Sequence, residues 1–247
     1  MRVTIVNVSH SIHSTEFHAA VAAIGKQVKE DFEPAWSISA ILRGVTHNLS
    51  GKAPIEGLND ALIYLGDSSQ DPTTGVEGAL GYHSTNHKDI PYGFVYLDIC
   101  AEYGEEWTTT LSHEVLELLG DPAATLTVSG PDPRKPTRRV QFDLEVCDPT
   151  QGDSYLIDDI RVSNFVTPTY FGKAGGPAAT NFLKLSLKRF GVRSGGYFQY
   201  EDARGVHQVT GKQAEAVLAR RTAARKLMGL GRRNTRRAER LKGKRIA

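Results

Sequence analysis

The sequence is poor in cysteine and contains no long apolar run. Its 247 residues include two cysteines, Cys100 and Cys147, which are too few for a disulfide framework. So few cysteines are typical of a reducing compartment, so we expect a cytoplasmic protein when it is synthesised. No apolar stretch approaches the roughly 20 residues that a membrane-spanning helix needs. The first residues also lack the apolar core and cleavage site of a secretory signal, so we expect no membrane partner.

The chain as a whole also has almost no excess of positive or negative charge. There are 30 Lys and Arg against 28 Asp and Glu, which gives a formal net charge of +2. The balance conceals two opposite parts. Residues 212–247 contain 13 basic residues and two acidic ones, whereas residues 1–211 contain 17 basic and 26 acidic residues. The sequence therefore divides into an acidic body, residues 1–211, and a basic tail, residues 212–247.

Apolar patterning predicts an α+β fold for the first half of the body. Five short apolar or β-branched runs predict strands at residues 3–8, 37–42, 61–65, 79–83 and 94–100. A long helix begins near Ser11 or Ser14, with apolar residues at helical spacing, and is expected to end at Pro34. A second helix, with three threonines offering an N-cap, is expected to end at Gly120 before Pro122.

Residues 123–211 predict a smaller, β-rich part. Proline, glycine and charge at residues 128–136 predict a loop. Residues 140–146 and 155–162 predict two strands that pair with each other, and the run GGYFQYED predicts a late strand. Residues 181–190 have the spacing of a short amphipathic helix. The tail, from Ala214, is helix-prone but polar.

The second helix carries a motif with metal-binding chemistry. His113 and Glu117 are four residues apart, so on a helix they share one face and can bind a single ion. Glu114 is adjacent and is suited to act as the general base on a water molecule. The apolar face of the helix, formed by Leu111, Val115 and Leu118, lies opposite. The competing interpretation is a histidine and two solvated glutamates on a surface helix.

The motif and its context resemble the zincin metallopeptidases, particularly the metzincin branch. A strand, a long helix and a run of strands precede the helix with His113, Glu114 and Glu117, and Gly120 stands at the glycine position of the metzincin motif. The resemblance covers residues 1–122. It implies a zincin-like mixed sheet with a backing helix and a metal-site helix, a zinc ion, and a peptide substrate held along one strand at the edge of the cleft. The candidates for this cleft strand are ALGYH with its following loop, or GFVYLD. The strings HEVLELLGDP and EVCDP also look like an uncharacterised family of bacterial and phage proteins.

The sequence departs from the metzincin pattern at two positions. Glu117 replaces the second histidine, and Ala123, which cannot bind metal, stands at the position of the third ligand. We therefore expect the third ligand to be Glu145, with Asp121 and Asp148 as the other candidates. Zinc is the expected ion, while manganese or calcium also suits carboxylate ligands.

Several further side chains are candidates for supporting roles. A tyrosine, either Tyr155 or Tyr170, could stabilise an oxyanion, although most tyrosines in such positions are core residues. His83 and His87 precede the expected cleft strand and are candidates for contacting substrate or supporting the site. The histidines near the N-terminus are expected to be exposed and without a ligand role; they are His10, His13 and His18.

Paired arginines dominate the basic tail. They are Arg220, Arg221, Arg225, Arg232, Arg233, Arg236 and Arg237, with further basic residues on either side. Such a tail is suited to neutralise nucleic-acid phosphates or to bind an acidic protein surface, such as the body of a neighbouring copy. It contains no aromatic residue, which argues against stacking on single-stranded bases. A solvated extension is the alternative.

Two functions are compatible with these features. The first is a zincin-like metal-dependent hydrolase acting on peptide bonds, which Glu114 favours. The second is a phage virion or assembly protein that keeps a degenerate zincin-like fold and is virion-associated. Its tail would bind nucleic acid or neighbouring subunits in a homo-oligomer or virion. Ala123 and the tail favour this second function.

Overall fold

The computed structural model describes residues 1–46, 61–69, 81–85, 90–174 and 176–212. Helix and sheet are mixed in these residues, as the sequence predicts. None of the helices in these ranges combines the length and the apolar character needed to cross a membrane. The tail after Lys212 lies outside the described residues, and so does His87.

A five-stranded sheet forms the first half of the body. Its strands are β1 (Arg2–Asn7), β2 (Ile41–Thr46), β3 (Ala61–Gly66), β4 (Gly81–Thr85) and β5 (Pro91–Tyr96). Their spatial order is β2-β1-β3-β5-β4. Strands β1, β2, β3 and β5 are parallel, whereas β4 is antiparallel to β5 and lies at the edge. The central strands are largely buried, as expected for a parallel sheet covered by helices.

A long helical segment follows β1 and packs on the sheet. It consists of α1 (Ser14–Gln27), a π-helical turn (Val28–Phe32) and the short α2 (Glu33–Trp36). The predicted end at Pro34 is wrong, because Pro34 lies in the first turn of α2, where its missing N–H group is tolerated. The segment ends where Ser37 adopts a left-handed conformation with φ of 56°. Because the helical segment extends to Trp36, the second strand begins at Ile41 and not at residue 37.

The predicted strand at residues 94–100 is in fact a strand followed by a helix. Strand β5 ends at Tyr96, and α3 (Leu97–Glu102) continues the chain. The apolar run did not distinguish the two, because a short buried helix and a buried strand have the same composition. Helix α4 (Trp107–Gly120) comes next and is buried along most of its length. Its N-cap is Glu106, and the three threonines lie inside the helix and not at its cap.

The second half of the body contains an antiparallel sheet and a hairpin. The sheet has the order β11-β10-β7-β6, formed by β6 (Thr127–Pro131), β7 (Arg139–Asp143), β10 (Tyr197–Asp202) and β11 (Gly205–Thr210). The hairpin joins β8 (Ser154–Ile157) to β9 (Ile160–Ser163). Strand β6 overlaps residues 128–136, for which the sequence predicts a loop, so that prediction is wrong for residues 128–131.

Two further predictions for this half are wrong. Residues 140–146 and 155–162 do not pair with each other, since β7 pairs with β6 and β10. The turn residues Asp158 and Asp159 have positive φ and fold the second of these runs onto itself. Residues 181–190 form turns and no helix, because Asn181 uses its side chain to bind both the N–H and the carbonyl of Leu185.

A buried polar network joins α4 to the rest of the body. The hydroxyl of Ser112 donates to Gln27 Oε1 at 2.8 Å and accepts the backbone N–H of Ser163 at 2.9 Å. Gln27 Nε2 in turn donates to the carbonyl of Ser163 at 2.8 Å. All three residues are fully buried. The network therefore holds α4 against α1 and β9, and with it the residues that follow Ser112 on the helix.

Candidate metal centre

Helix α4 places three ionisable side chains in the interior of the body. His113 is 8% exposed, Glu114 6% and Glu117 5%. Leu111, Val115 and Leu118 are fully buried on the apolar face, as expected. Neither glutamate is a solvated surface group, so each carboxylate must be compensated by the groups around it.

Two residues of α4 converge with an aspartate from the second half of the body. His113 Nε2 lies 3.2 Å from Glu117 Oε1 and 3.3 Å from Asp148 Oδ1. One potential ligand atom from each of the three residues lies within 4.8 Å of the others. Asp148 begins a short 3-10 turn, and it is buried with the other two. We call His113, Glu117 and Asp148 the first cluster.

Close packing at the end of α4 brings these parts together. A Cβ atom on Gly120 would lie 3.0 Å from Cγ1 of Val146, so a glycine allows the helix end to approach the 144–146 segment. Beyond this contact, the backbone N–H groups of Cys147 and Asp148 donate to Glu117 Oε1 at 3.4 and 3.3 Å. Glu117 therefore orients the turn that carries Asp148.

The charges of the first cluster perturb its neighbours. Burial opposes protonation of His113, but the charges of Glu117 and Asp148 outweigh burial and raise the pKa of the imidazole well above its usual value. Burial, followed by the charge of Glu117, raises the pKa of the Cys147 thiol well above its usual value. The cluster is thus rich in negative charge, which a histidine cation or a bound metal cation would balance.

A second cluster shares Glu117 with the first. His83, from the edge strand β4, Glu114 and Glu117 also have potential ligand atoms within 4.8 Å of one another. Nδ1 of His83 is 3.5 Å from Oε2 of Glu114, and Nε2 of His83 is 3.1 Å from the carbonyl oxygen of Asp121. We call His83, Glu114 and Glu117 the second cluster. The sequence indicated His83 only as a candidate for a supporting role.

The other two candidate ligands lie outside both clusters of the described residues. Asp121 follows the end of α4, and its Oδ2 accepts the N–H of Leu126 at 2.6 Å, which stabilises the turn after the helix. Glu145 is half-buried between Leu144 and Val146, both of which are buried. Of the three candidates for the third ligand, Asp148 is the one that the fold brings to His113 and Glu117.

The two candidate tyrosines donate their hydroxyls to groups outside the clusters. Tyr155 donates to Asp31 at 2.7 Å, and Tyr170 donates to the carbonyl of Gly191 at 2.7 Å. Burial is the main cause that raises the pKa of both phenols, and the charge of Asp148 adds to it at Tyr170. Both therefore remain neutral hydrogen-bond donors at physiological pH.

The donor set of the first cluster fits a zinc or manganese ion. One imidazole nitrogen and two carboxylates are ligands that both ions accept, and a three-residue set leaves a position for water. Calcium is less well matched, because it takes six to eight oxygen ligands.

A surface groove elsewhere in the described residues, near Ser11, Asp98, Trp107 and Arg161, contains no member of either cluster.

Comparison of the chain with protein-family models, with curated proteins and with solved structures finds no match. The class that the fold and the site define is a mixed helix-and-sheet protein with buried His, Glu and Asp clusters that could hold a metal ion. Any assignment of activity must therefore be argued from the site itself.

Proposed function

We propose that the protein is a zincin-like, metal-dependent hydrolase that acts on peptide bonds. The observation that carries this proposal is the convergence of His113, Glu117 and Asp148 into one buried cluster, with Glu114 on the same helix. His113, Glu117 and Asp148 would hold a divalent ion, for which zinc is our first choice. Such an ion, when bound, supplies a Lewis acid and lowers the pKa of a water molecule.

Glu114 is the residue of this chain that we assign as general base. It is 6% exposed, and its Oε2 has no hydrogen-bond donor among the described residues, so the atom is available to accept a proton. Gly81 of β4 lies directly against the Glu114 side chain, since a Cβ there would be 2.7 Å from Oε1. The base is thus held beside the strand along which we propose that a substrate lies.

The edge position of β4 supports a peptide as the substrate. In the described part of the sheet β4 pairs with β5 on one side and is the last strand in the order. An extended peptide can add to such an edge through backbone hydrogen bonds, which are independent of side-chain sequence. Helix α4 packs on both β4 and β5, so a peptide at this edge would lie near Glu114.

Two measurements test the hydrolase proposal. Purified wild-type protein is expected to bind zinc at the first cluster, and the His113→Ala variant is expected to lose this ion. A Glu114→Gln variant is expected to keep that metal while losing about 100- to 10,000-fold in peptidase rate, the usual contribution of a general base. Activity on a mixed peptide library that survives in Glu114→Gln would remove Glu114 from the mechanism. A wild type that binds no metal at neutral pH would remove the metal centre.

The charge of the tail supports a second candidate function. Residues 212–247 hold 13 basic and two acidic residues, which a hydrolytic site of the body does not require. We propose as the alternative a virion or assembly protein in which the metal centre stabilises the fold and the tail binds nucleic acid or a neighbouring subunit. A stable metal complex without peptidase activity, together with salt-dependent binding of nucleic acid, would favour this alternative.

A further inference from the structure

We propose that the second cluster is a separate cation site, so that the centre binds two divalent cations that share Glu117. The ligands of the second cation are His83, Glu114 and Glu117, and those of the first are His113, Glu117 and Asp148. The expected occupant is a divalent ion such as zinc or manganese, because one imidazole and two carboxylates suit both. This site goes beyond the proposed hydrolysis, because ion binding at it requires no catalytic activity.

The hydrogen bond of His83 determines which ring nitrogen faces the carboxylates. Nε2 lies 3.1 Å from the carbonyl oxygen of Asp121, which can only accept, so Nε2 carries the proton of this hydrogen bond. In the neutral imidazole Nδ1 then has a lone pair and no proton. That lone pair faces Glu114 Oε2 at 3.5 Å. In this form Nδ1 and Oε2 are two electron-rich atoms facing each other in the interior, and a cation between them would stabilise the pair, whether it is a second proton on the ring or a metal ion.

Glu114 provides an independent indication of a ligand. Its side chain is more than nine-tenths buried, and Oε2 has no hydrogen-bond donor in the part of the chain that the structure describes. A buried carboxylate oxygen without a donor costs free energy unless a cation compensates it. Oε2 is also the Glu114 oxygen that lies 3.5 Å from His83 Nδ1, so the oxygen without a hydrogen-bond donor belongs to the second cluster.

Gly81 leaves room for the carboxylate of Glu114 in this position. A Cβ at Gly81 would lie 2.7 Å from both Cγ and Oε1 of Glu114, which is closer than real Cβ contacts. The glycine therefore allows the glutamate to lie against β4, two residues from His83 on the same strand. Residues i and i+2 of a strand point to the same face, so the strand presents both to the helix.

Glu117 is the residue through which the two sites are connected. It belongs to both clusters, and the two oxygens of a carboxylate can bind two different ions. The three carboxylates and two histidines of the combined centre are all less than 9% exposed. With both imidazoles neutral, three carboxylates and one divalent cation leave a net charge of −1, so the centre keeps negative charge that attracts a second cation, and two cations leave +1.

Metal stoichiometry of the full chain tests the proposal. Metal-free protein is titrated with zinc in a calorimeter, and bound zinc is counted by elemental analysis after gel filtration. We expect two ions per chain in the wild type, one in His83→Ala, one in Asp148→Asn, and weakened binding at both sites in Glu117→Gln. His207→Ala is the control, because His207 pairs with Asp202 and belongs to neither cluster. This variant should still bind two ions. One ion in the wild type, or two in a folded His83→Ala, would overturn the proposal.

A second measurement needs no variant and therefore does not depend on folding of the mutants. With two equivalents of manganese, ions bridged by Glu117 are expected to give the broadened electron paramagnetic resonance spectrum of a coupled pair. The six-line spectrum of isolated ions at the same loading would contradict a shared carboxylate. The outcomes are separable from those of the hydrolase proposal. A protein that binds two ions but shows no peptidase activity even when only the first site is filled refutes only that function, and an active protein that binds one ion at saturation refutes only the second site.

Discussion

At the residue scale, our two proposals give Glu114 two roles, general base and ligand of the second ion, which it cannot perform at the same time. As a general base it must accept a proton, yet as a ligand of the second site its Oε2 is occupied. The shared residue Glu117 and the edge-strand residue His83 decide which role it takes, because both bind the second ion in our proposal. The relative affinities of the two clusters therefore control whether Glu114 is available.

We expect excess zinc to inhibit peptidase activity for this reason. Activity should rise as the first site fills and fall when the second ion engages Glu114. In His83→Ala the rise in activity at low zinc should remain. The inhibition should shift to a zinc concentration at least about tenfold higher, which corresponds to a loss of about 1.4 kcal/mol in the binding free energy of the second ion. The measurement is initial rate against buffered free zinc. An identical fall in the variant would show that inhibition arises elsewhere.

Gly81→Ala is a second residue-scale prediction. The added Cβ collides with the Glu114 side chain at 2.7 Å, so the carboxylate must move away from β4. We expect lower peptidase activity and weaker binding of the second ion, with the first ion retained. Gly66→Ala is the matched control on β3, since its Cβ would meet Val8 Cγ2 at an ordinary 3.7 Å. Equal behaviour of the two variants would remove the role assigned to Gly81.

At the scale of elements, the buried network of Ser112, Gln27 and Ser163 holds α4 in place. Ser112→Ala removes one hydroxyl and leaves the amide oxygen of Gln27 and the N–H of Ser163 without this partner. Such a loss costs about 1–3 kcal/mol in the free energy of unfolding. Urea denaturation should detect it. Ser14→Ala, at the exposed start of α1, should change the midpoint little.

The turn between β10 and β11 provides an element-scale prediction about pH. The hydrogen bond from His207 lowers the pKa of Asp202 below its usual value, against partial desolvation, and Arg204 contributes. A carboxyl whose folded pKa is lowered stabilises the protein above its unfolded pKa, and this contribution is lost as the pH falls. Asp202→Asn should therefore be less stable than the wild type at pH 7, and the difference should shrink below about pH 3.9.

Urea midpoints at several pH values measure this difference. Asp159→Asn is the control, because Asp159 is exposed in the β8–β9 turn and an asparagine tolerates its positive φ. We expect its midpoint to follow that of the wild type across the pH range. A gap between wild type and Asp202→Asn that stays constant down to pH 2 would show that ionisation of Asp202 is not its cause.

The elements also show how far the sequence alone could lead. The helix that carries His113, Glu114 and Glu117 was predictable, because its apolar spacing and the i, i+4 relation are local. The pairing of residues 155–162 was not, since two aspartates with positive φ create a hairpin that composition does not reveal. The choice among Glu145, Asp121 and Asp148 depends on the contact between Gly120 and Val146, which joins distant parts of the chain.

His83 illustrates the same limit. It lies 31 positions before Glu114, yet the antiparallel pairing of β4 with β5 and the packing of α4 on both strands bring the two side chains together. A sequence pattern can indicate a strand near residues 79–83, but it does not state which neighbour the strand pairs with. The second cluster therefore became visible only in the folded protein.

At the scale of the whole molecule, the charge is divided between the body and the tail. The body carries 26 acidic against 17 basic residues, and the tail carries 13 basic against two acidic. The centre described above accounts for part of the acidity, through Glu114, Glu117 and Asp148. The charge of the tail is complementary to phosphates and also to the body, so a polyanion and the body of a second copy would compete for it.

We expect the full chain to bind duplex DNA of arbitrary sequence through the tail, with an affinity that falls as salt increases. Each phosphate contact releases counterions, so six or more contacts would weaken binding at least about 1,000-fold between roughly 50 and 200 mM salt. Fluorescence anisotropy of a labelled duplex measures both affinity and slope. A chain ending at Gly211 should lose the binding, and replacing Arg232, Arg233, Arg236 and Arg237 by glutamine should lower the slope.

The body supplies the control for this experiment. A chain ending at Gly211 keeps both metal clusters, so its zinc stoichiometry should equal that of the full chain while its DNA binding disappears. Salt-insensitive binding, or binding retained by the shortened chain, would rule out phosphate contacts of the tail. If the full chain instead self-associates at low salt and the shortened one stays monomeric in sedimentation, the acidic body of a second copy is the partner of the tail. Charge complementarity would then serve assembly and not nucleic-acid binding.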